Sequence, residues 1–374
     1  MKKLLLPTIA LLFCTTFSSR ASSFAPGNVV IYRVGDGTSP LASTGNVVYL
    51  DEYSTNGTLV QSMLLPSTAG DGNQLVANGT ATSEGLITRS TDGKHLVFTG
   101  YRPNPFPYTS DMQASAGTAV KRVIGRVNSS GTLQTMALAD FSSPGNPRAA
   151  CSIDGNAVWM CGARGGVRYA AWGDATSVQI TSNNTTNIRQ VKIFGNQLFL
   201  STASGDNRVV NSVSGGLPTT SNQIMELLYG LPYATVSSAY SFVMADLSSD
   251  EPGIDTLYVA FDTQNVLSKY CRSGIIWQHF GVVAASAYRG LDGVVNGNEV
   301  TLYATTGGST ATGGGTLASV TDTSGYQGTF SGSLTILANA GANTAFRGVA
   351  MAPVPEPAVL GLIGVALVAF LRRR

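Results

Sequence analysis

One hairpin pattern recurs along most of this chain and restricts its fold more than any other feature. A short apolar strand is followed by a polar turn and then by a second strand, commonly of the form Leu-Tyr/Phe-x-x-Thr/Ala/Gly. The copies are "GLITRSTDGKHLVFTGY" from Gly85, "RAACSIDGNAVWMCGAR" from Arg148, "RQVKIFGNQLFLSTASG" from Arg189, "SFVMADLSSDEPGIDTLYVAFD" from Ser241 and "YRGLDGVVNGNEVTLYATTGG" from Tyr288. Starts spaced by roughly 40 to 60 residues are typical of four-stranded propeller blades with loops of variable length.

A second kind of hairpin follows several of these and supplies two further strands, at residues 47–66, 123–138 and 266–280. The fragment "FRGVAMAP" from Phe346 lacks completing strands, whereas residues 29–66 lack a first strand. Joining the two makes one blade shared by both ends of the chain, which removes exposed sheet edges. The sequence therefore predicts an all-β propeller of six blades, or seven if residues 189–235 contain another.

Two other all-β folds stay open at this point, a large β-sandwich and a β-solenoid. A solenoid would show shorter and more uniform periods, so we favour the propeller. Residues 221–231, "SNQIMELLYGL", are the best candidate for a short helix. Residues 309–325, "STATGGGTLASVTDTSG", are expected to be a flexible loop within the fifth repeat.

The amino-terminal end has the organisation of a secretory signal peptide. Lys2 and Lys3 precede the apolar residues 4–13, and Ser19-Arg20-Ala21 offers a small-x-small cleavage site. A buried terminal helix is the alternative, but it would not require this order of charge, apolar stretch and small residues. We expect residues 1–21 to be removed by signal peptidase during export.

The carboxyl-terminal end contains an uncharged apolar run at residues 358–371. As a helix, about 14 residues at ~1.5 Å each span about 21 Å, less than the ~30 Å of a hydrocarbon core. Snorkelling arginines and local bilayer thinning compensate for such a shortfall. The run predicts a short transmembrane helix with the terminal arginines on the cytoplasmic side. The alternative is a core helix ending a globular domain, which would not need three terminal arginines.

The whole tail combines three parts in order at the extreme carboxyl terminus. Val354, Pro355, Glu356 and Pro357 form a Pro-Glu-Pro box, an apolar helix follows, and Arg372, Arg373 and Arg374 end the chain. This arrangement resembles the PEP-CTERM sorting signal of Gram-negative bacteria. The resemblance implies recognition by an exosortase, cleavage near the box, and release to the cell surface or the exopolysaccharide matrix. It covers residues 353–374 alone, which leaves residues 22–352 as an extracellular propeller-like domain.

Charge composition argues against a nucleic-acid partner once the two ends are set aside. The chain has 23 basic and 21 acidic residues, of which six basic and one acidic belong to the ends, leaving a formal charge of −3. Nucleic-acid binders usually carry a basic patch or a high isoelectric point. Charged residues are 12% of the chain, about half the usual share. Uncharged polar residues therefore cover most of the surface, which suits an extracellular setting and contact with carbohydrate.

Cys151 and Cys161 flank a turn centred on Asp154-Gly155-Asn156. A hairpin there would bring the two cysteines opposite or nearly opposite each other, so a cross-strand disulfide is one prediction for an exported protein. Two buried thiols are the alternative, because a register change of one residue would place them on opposite faces.

Residues that bear chemistry are sparse. Asp246, Asp250, Glu251 and Asp255 crowd one turn and are candidate oxygen ligands for Ca²⁺, although their spacing is not that of an EF-hand and a solvated acidic turn explains them equally. His95 and His279 are the two histidines, and no metal-ligand spacing or G-x-S-x-G nucleophile motif occurs. We expect no other cofactor and assign no catalytic residue.

Two functions from different classes fit these observations. The first is a non-catalytic surface or matrix protein whose propeller binds polysaccharide or another surface component. The second is a secreted hydrolase or lyase acting on an extracellular polymer, which would need His95, His279 or the acidic turn to converge on the central channel.

Overall fold

The computed structural model describes residues 23–182, 186–203, 209–232, 238–308 and 310–356. Within these ranges the chain forms 25 strands and no helix. In chain order the strands are β1 (Val29–Val34), β2 (Val48–Tyr53), β3 (Leu59–Leu64), β4 (Thr88–Arg89), β5 (His95–Arg102), β6 (Lys121–Asn128), β7 (Leu133–Leu138), β8 (Pro147–Ser152), β9 (Ala157–Gly162), β10 (Arg168–Ala171), β11 (Val178–Gln179), β12 (Ile188–Phe194), β13 (Gln197–Thr202), β14 (Val209–Val213), β15 (Met225–Leu227), β16 (Ala239–Ala245), β17 (Thr256–Phe261), β18 (Val266–Ser273), β19 (Ile276–Ala284), β20 (Tyr288–Asn296), β21 (Glu299–Thr306), β22 (Gly313–Gly314), β23 (Thr316–Asp322), β24 (Thr335–Asn339) and β25 (Thr344–Met351).

The strands form six sheets, which are the blades of a propeller. From the innermost strand outward, blade 1 is β25-β1-β2-β3, blade 2 is β4-β5-β6-β7, blade 3 is β8-β9-β10-β11, blade 4 is β12-β13-β14-β15, blade 5 is β16-β17-β18-β19 and blade 6 is β20-β21-β23-β24. The short β22 pairs in parallel with β25. Neighbouring innermost strands contact one another around the central channel. The prediction of an all-β propeller with six blades is confirmed.

Blade 1 contains strands from both ends of the chain, as the sequence predicted. β25 pairs antiparallel with β1 from Val29↔Met351 to Val34↔Ala345. β1 continues through β2 to β3, which are the strands of residues 47–66. The incomplete fragment at Phe346 and the segment that begins at residue 29 therefore complete each other.

Two local expectations were wrong. Residues 221–231 contain no helix; Met225–Leu227 is β15, the outermost strand of blade 4, and pairs with β14. Residues 309–325 are not simply a loop, because Thr316–Asp322 is β23, the third strand of blade 6. In both cases the pairing available in an unfinished sheet outweighs the local sequence preference.

Burial decreases from the channel outward. Every residue of β17 and β25 is buried, whereas β3 and β24 are largely exposed. Inner strands are covered on both faces by neighbouring blades, so they carry near-continuous apolar runs, and outer strands need only a partial apolar face. The few polar residues on inner strands are therefore buried, and they define the channel.

The innermost strands all begin at one end of the channel, which we call the upper end; the opposite end is the lower end. The turns between the first and second strands of each blade lie at the lower end, where the chain also leaves β25. Val354 in the segment after β25 donates its backbone N–H to Gly93 O, in the β4–β5 turn, at 2.9 Å.

Gly348 gives a direct test of how tightly blade 1 closes on blade 2. Its N–H donates to Gly85 O at 2.9 Å, and a Cβ at this position would lie 2.4 Å from the backbone nitrogen of Ile87. We expect Gly348→Ala to lower the free energy of unfolding by about 2 kcal/mol or more, because backbone atoms must move. Chemical denaturation of the purified protein measures this change.

Gly341→Ala is the matched control. Gly341 is exposed, and the nearest atom to its added Cβ, Thr344 Oγ1, is 3.8 Å away. This variant should stay within about 0.5 kcal/mol of the wild type. Equal stability of the two variants would show that the contact between blades 1 and 2 is loose.

Candidate functional site

A register irregularity near the start of the innermost strand recurs in five of the six blades. At each irregularity one or two residues of the innermost strand have no partner in the register of the neighbouring strand. These residues include an arginine in four blades and a tyrosine in the fifth. A bulge of this kind changes the direction of a side chain. In blade 2, Glu84 lies in the segment that leads into β4. The six residues, called here the channel ring, are Glu84, Arg148, Arg189, Tyr240, Arg289 and Arg347.

Electrostatic interactions connect the members of the channel ring in order around the upper end of the channel. Arg148 interacts with Glu84 and Arg189. Arg189 interacts with Tyr240, Asp262 and Arg289. Arg347 interacts with Arg289 and Glu84, which closes the ring.

Arg148 and Arg347 are the most deeply buried arginines of the ring, 6% and 2% exposed. Arg148 Nη1 donates to Asn187 Oδ1 at 2.6 Å, and the Nη atoms of Arg347 donate to Gly79 O and Gly308 O at 2.9 Å each. The Nε atom of each arginine is buried without a hydrogen-bond partner in the described part of the chain. Burial lowers the pKa of both guanidinium groups to about 10, so both remain cationic at neutral pH.

Arg189 and Arg289 both contact the aromatic ring of Tyr240. Their guanidinium carbons lie 4.4 Å and 4.8 Å from the ring centroid, which is cation–π geometry. Arg289 also forms an ion pair with Asp262, with Nη2 3.1 Å from Oδ2. Arg189 has no hydrogen bond or ion pair within the described residues, and its buried Nε lacks a partner there. Burial lowers the pKa of Arg189.

Glu84 is the acidic member of the ring and is 3% exposed. Its Oε1 accepts hydrogen bonds from Tyr101 Oη and from Asn146 Nδ2, and its Oε2 accepts one from Asn78 N at 3.2 Å. Burial raises the pKa of Glu84 to about 7, against the opposing effect of these hydrogen bonds and of Arg347. Glu84 is therefore partly protonated near neutral pH.

Positive charge exceeds negative charge at the upper end of the channel. Four arginines face two carboxylates, Glu84 and Asp262, and Glu84 is only partly ionised near neutral pH. Within the described chain, Arg289 is the one ring arginine with a carboxylate in ion-pair contact. Buried charges are normally paired. The arrangement is therefore suited to binding an anion.

The lower end of the channel contains a cavity of about 330 Å³ lined by the ends of the innermost strands, including Arg89, Cys151, Lys192 and Asp292. Lys192 of blade 4 reaches to blade 6, where its Nζ donates to Leu291 O at 2.8 Å and lies 3.4 Å from Asp292 Oδ1. This buried cation is satisfied by the protein, in contrast to Arg189.

The two histidines that the hydrolase or lyase hypothesis required to converge on the channel lie far apart. His95 begins β5 in blade 2, whereas His279 lies on β19, the outermost strand of blade 5. Blades 2 and 5 are on opposite sides of a six-blade ring. The ring of His279 is exposed and contacts Tyr270, with centroids 5.3 Å apart, instead of lining the channel.

The acidic residues of the β16–β17 turn have separate partners. Asp255 is buried and accepts backbone hydrogen bonds from Leu247 and Ser248, and Glu251 Oε1 lies 3.2 Å from Arg272 Nη1. Asp246 and Asp250 are exposed. No group of three or more His, Cys, Asp or Glu residues in the described ranges is arranged to hold a metal ion. Calcium binding stays a prediction without support from this geometry.

Cys151 and Cys161 lie on β8 and β9, as the predicted hairpin requires. Cys151 faces Trp159 and Cys161 faces Ala149, so the cysteines are diagonal neighbours on one face of the sheet. Both thiols are buried, and burial raises the pKa of Cys161 to about 12. The disulfide stays a prediction, and the diagonal placement makes it less favourable than a directly opposed pair.

The sorting signal is described only in its first part. Glu356 Oε1 lies 3.2 Å from Lys94 Nζ, so the start of the Pro-Glu-Pro box, with Val354 and Pro355, lies against the β4–β5 turn. Pro357, Arg372, Arg373 and Arg374 lie outside the described residues, as do the signal peptide and the apolar run. Within the described ranges no helix is long and apolar enough to cross a membrane.

The channel ring was missed at the level of sequence, although a signal for it was present. Four hairpin starts carry an arginine at a corresponding place: "RAACS", "RQVKI", "YRGLD" and "FRGVA". A cation recurring at the start of a buried strand is unexpected for packing alone. Aligning the repeats on that arginine would have identified the ring.

The raised pKa of Glu84 predicts a specific pH dependence of stability. The folded protein retains a proton near pH 7 that the unfolded chain, with the ordinary value of 4.5, releases at lower pH. The free energy of unfolding therefore falls as pH rises between about 4.5 and 7. In the wild type, the free energy of unfolding should be higher at pH 5 than at pH 8. We expect Glu84→Gln to reduce this difference by about 2 kcal/mol.

Chemical denaturation at the two pH values measures this difference independently of any constant loss of stability in the variant. Glu299→Gln, at an exposed position on β21, is the control and should leave the pH dependence unchanged. An unaltered pH dependence in Glu84→Gln would contradict the assignment.

Comparison with solved structures finds proteins of low similarity. A 6-phosphogluconolactonase-like protein from Bacteroides uniformis, described as putative, has 12% identity and a TM-score of 0.44, and a second from Bacteroides fragilis has 13% and 0.45. A periplasmic gluconolactonase from Pseudomonas aeruginosa has 11% and 0.44. Each alignment covers 84% of this chain and 82% of the other. The activity in those names belongs to those proteins.

No curated protein matches the chain. Residues 353–374 match the family described as the PEP-CTERM protein-sorting motif. The resemblance noted in the tail is thereby confirmed, and the motif indicates an exported protein that is sorted through an exosortase. The domain that precedes the motif has the fold of a six-blade propeller.

Proposed function

We propose that the propeller acts at the cell surface or in the exopolysaccharide matrix as a non-catalytic binding protein. Its ligand is a polysaccharide or another surface component of a Gram-negative biofilm. In this proposal residues 1–21 are the signal peptide, residues 22–352 form the binding domain and residues 353–374 are its sorting signal. The tail inserts in the membrane through residues 358–371 until exosortase processing releases the protein.

The observation that carries this proposal is the position of the tail relative to the channel ring. The chain leaves β25 at the lower end of the channel, and Val354 and Glu356 contact the β4–β5 turn there. The channel ring lies at the upper end, where the innermost strands begin. While its tail is still in the membrane, the protein therefore presents the channel ring away from the point of attachment, toward extracellular material.

A second function is favoured by one observation on Glu84. Burial brings the pKa of this carboxyl to about 7, and it accepts a hydrogen bond from Tyr101 in a site rich in arginine. A carboxyl of this kind suits general acid–base catalysis near neutral pH. A lyase or hydrolase acting on an extracellular polymer is the alternative function, with Glu84 in place of the histidines and the acidic turn.

Cosedimentation with matrix polysaccharide tests the binding function and separates it from the enzymatic one. We expect the purified protein to be retained by exopolysaccharide of its own host and not by neutral dextran, with no increase in reducing ends or unsaturated products. New chain ends that disappear in Glu84→Gln would favour the enzyme. Absence of retention would contradict the binding proposal.

Removing residues 353–374 should separate sorting from binding. The propeller closes through β25 before the motif begins, so the truncated chain should fold and retain its affinity for matrix polysaccharide. In the host it should no longer be deposited at the surface. Cosedimentation measures the affinity and cell fractionation the surface deposition. Surface deposition of the truncated chain at the wild-type level would contradict the role of the tail.

A further inference from the structure

We propose that the channel ring binds an oxyanion group of the ligand, a carboxylate or a phosphate, with Arg189 as a direct donor to it. This inference rests on the proposed function for the source of the ligand, which is extracellular polymer. The type of chemical group that is bound is inferred from the geometry of the channel ring alone.

The protein compensates the charges of the ring unevenly. Arg289 is paired with Asp262, and Arg148 and Arg347 donate to main-chain or amide oxygens. Carbonyl oxygens satisfy N–H donors but do not neutralise a cation. A group that carries a full negative charge and accepts several hydrogen bonds would compensate the remaining arginines.

Arg189 distinguishes a binding site from a set of structural contacts. A structural role explains the hydrogen bonds that Arg148 and Arg347 make between segments of the upper end. Arg189 makes none within the described chain, and it contacts Tyr240 by cation–π stacking. Its guanidinium is therefore held in position while its N–H donors remain available for a ligand.

The ring also permits access from above. Arg289 keeps 21% of its side-chain surface exposed, and Arg189 is half-buried. Arg148 and Arg347 lie deeper. Because Arg189 and Arg289 both stack on Tyr240, two cations are positioned before a ligand arrives, which reduces the entropy lost on binding.

Lys192 is a cation in the same channel that has both a hydrogen-bond acceptor and a carboxylate within the protein. Its ammonium group donates to Leu291 O and is near Asp292 Oδ1, and the residue is buried. The lower end of the channel therefore has its own carboxylate for its cation. The four ring arginines at the upper end face a larger imbalance, with two carboxylates, Glu84 and Asp262, among them.

Calorimetric titration of the purified full-length protein with three probes tests the proposal at constant ionic strength. The probes are glucuronate, inorganic phosphate and neutral glucose. We expect saturable binding of at least one anion and none of glucose. The stronger anion identifies whether sugar carboxylates or phosphate groups are the source of the oxyanion.

Arg189→Gln is the informative variant, because it removes a charge without removing a hydrogen bond within the described protein. We expect the Kd for the anion to rise about tenfold or more, as for loss of a charge-assisted hydrogen bond. Arg189→Lys should recover only part of the affinity, because the ammonium lacks the planar fork. Lys121→Gln removes an exposed charge at the upper end of β6 and should leave the Kd unchanged.

Failure of this inference and failure of the proposed function give different results. Retention by matrix polysaccharide that is equal in wild type and Arg189→Gln, without binding of either anion, would overturn the ring as the site and leave the binding function intact. Specific anion binding without retention would support the ring and overturn the function. An equal loss of affinity in Lys121→Gln and Arg189→Gln would show non-specific attraction and overturn the site.

Discussion

Pairing between β25 and β1 is the interaction on which the rest of the structure depends. It joins residues from the two ends of the chain, so it carries a large loop-closure entropy and is expected to form after the internal blades. Its benefit is that strands from the two ends complete one blade instead of ending the ring as two partial sheets, and Val29, Ile31, Phe346 and Val349 are buried together. A propeller lacking this pairing would expose apolar strands on both sides of the gap.

The same strand connects the closing of the ring to the candidate site and to the sorting signal. β25 carries Arg347 near its upper end and continues, beyond Met351, into the Pro-Glu-Pro box at its lower end. Burying a guanidinium in a strand that is covered on both faces is costly unless its donors are satisfied. The irregularity in β25 places Arg347 where Gly79 O and Gly308 O accept its hydrogen bonds. The fold therefore tolerates the cation because the strand pairing is interrupted at this point.

Much of the fold was predictable because blade construction is repetitive. Each first hairpin is a local unit whose apolar strands and turn residues are visible in sequence, and the incomplete segments at residues 29 and 346 indicated how the ring closes. Residues 221–231 and Thr316–Asp322 were interpreted wrongly because their structure depends on sheets that are already formed. The channel ring was not predicted for a related reason. Bulges are features of strand register, and a search for catalytic motifs gives no weight to a recurring arginine.

Local charge matters more than total charge for the chemistry of this protein. The chain outside its two ends has a formal charge of −3, and that value argues against binding a long polyanion such as nucleic acid. The channel ring nevertheless places four arginines against two carboxylates in a largely buried setting, where charges are weakly screened. A nucleic acid needs a stripe of cations along a surface, whereas a ring around a channel accommodates a single anionic group. The two observations are therefore compatible, and together they support the proposal that the channel ring recognises a single anionic group.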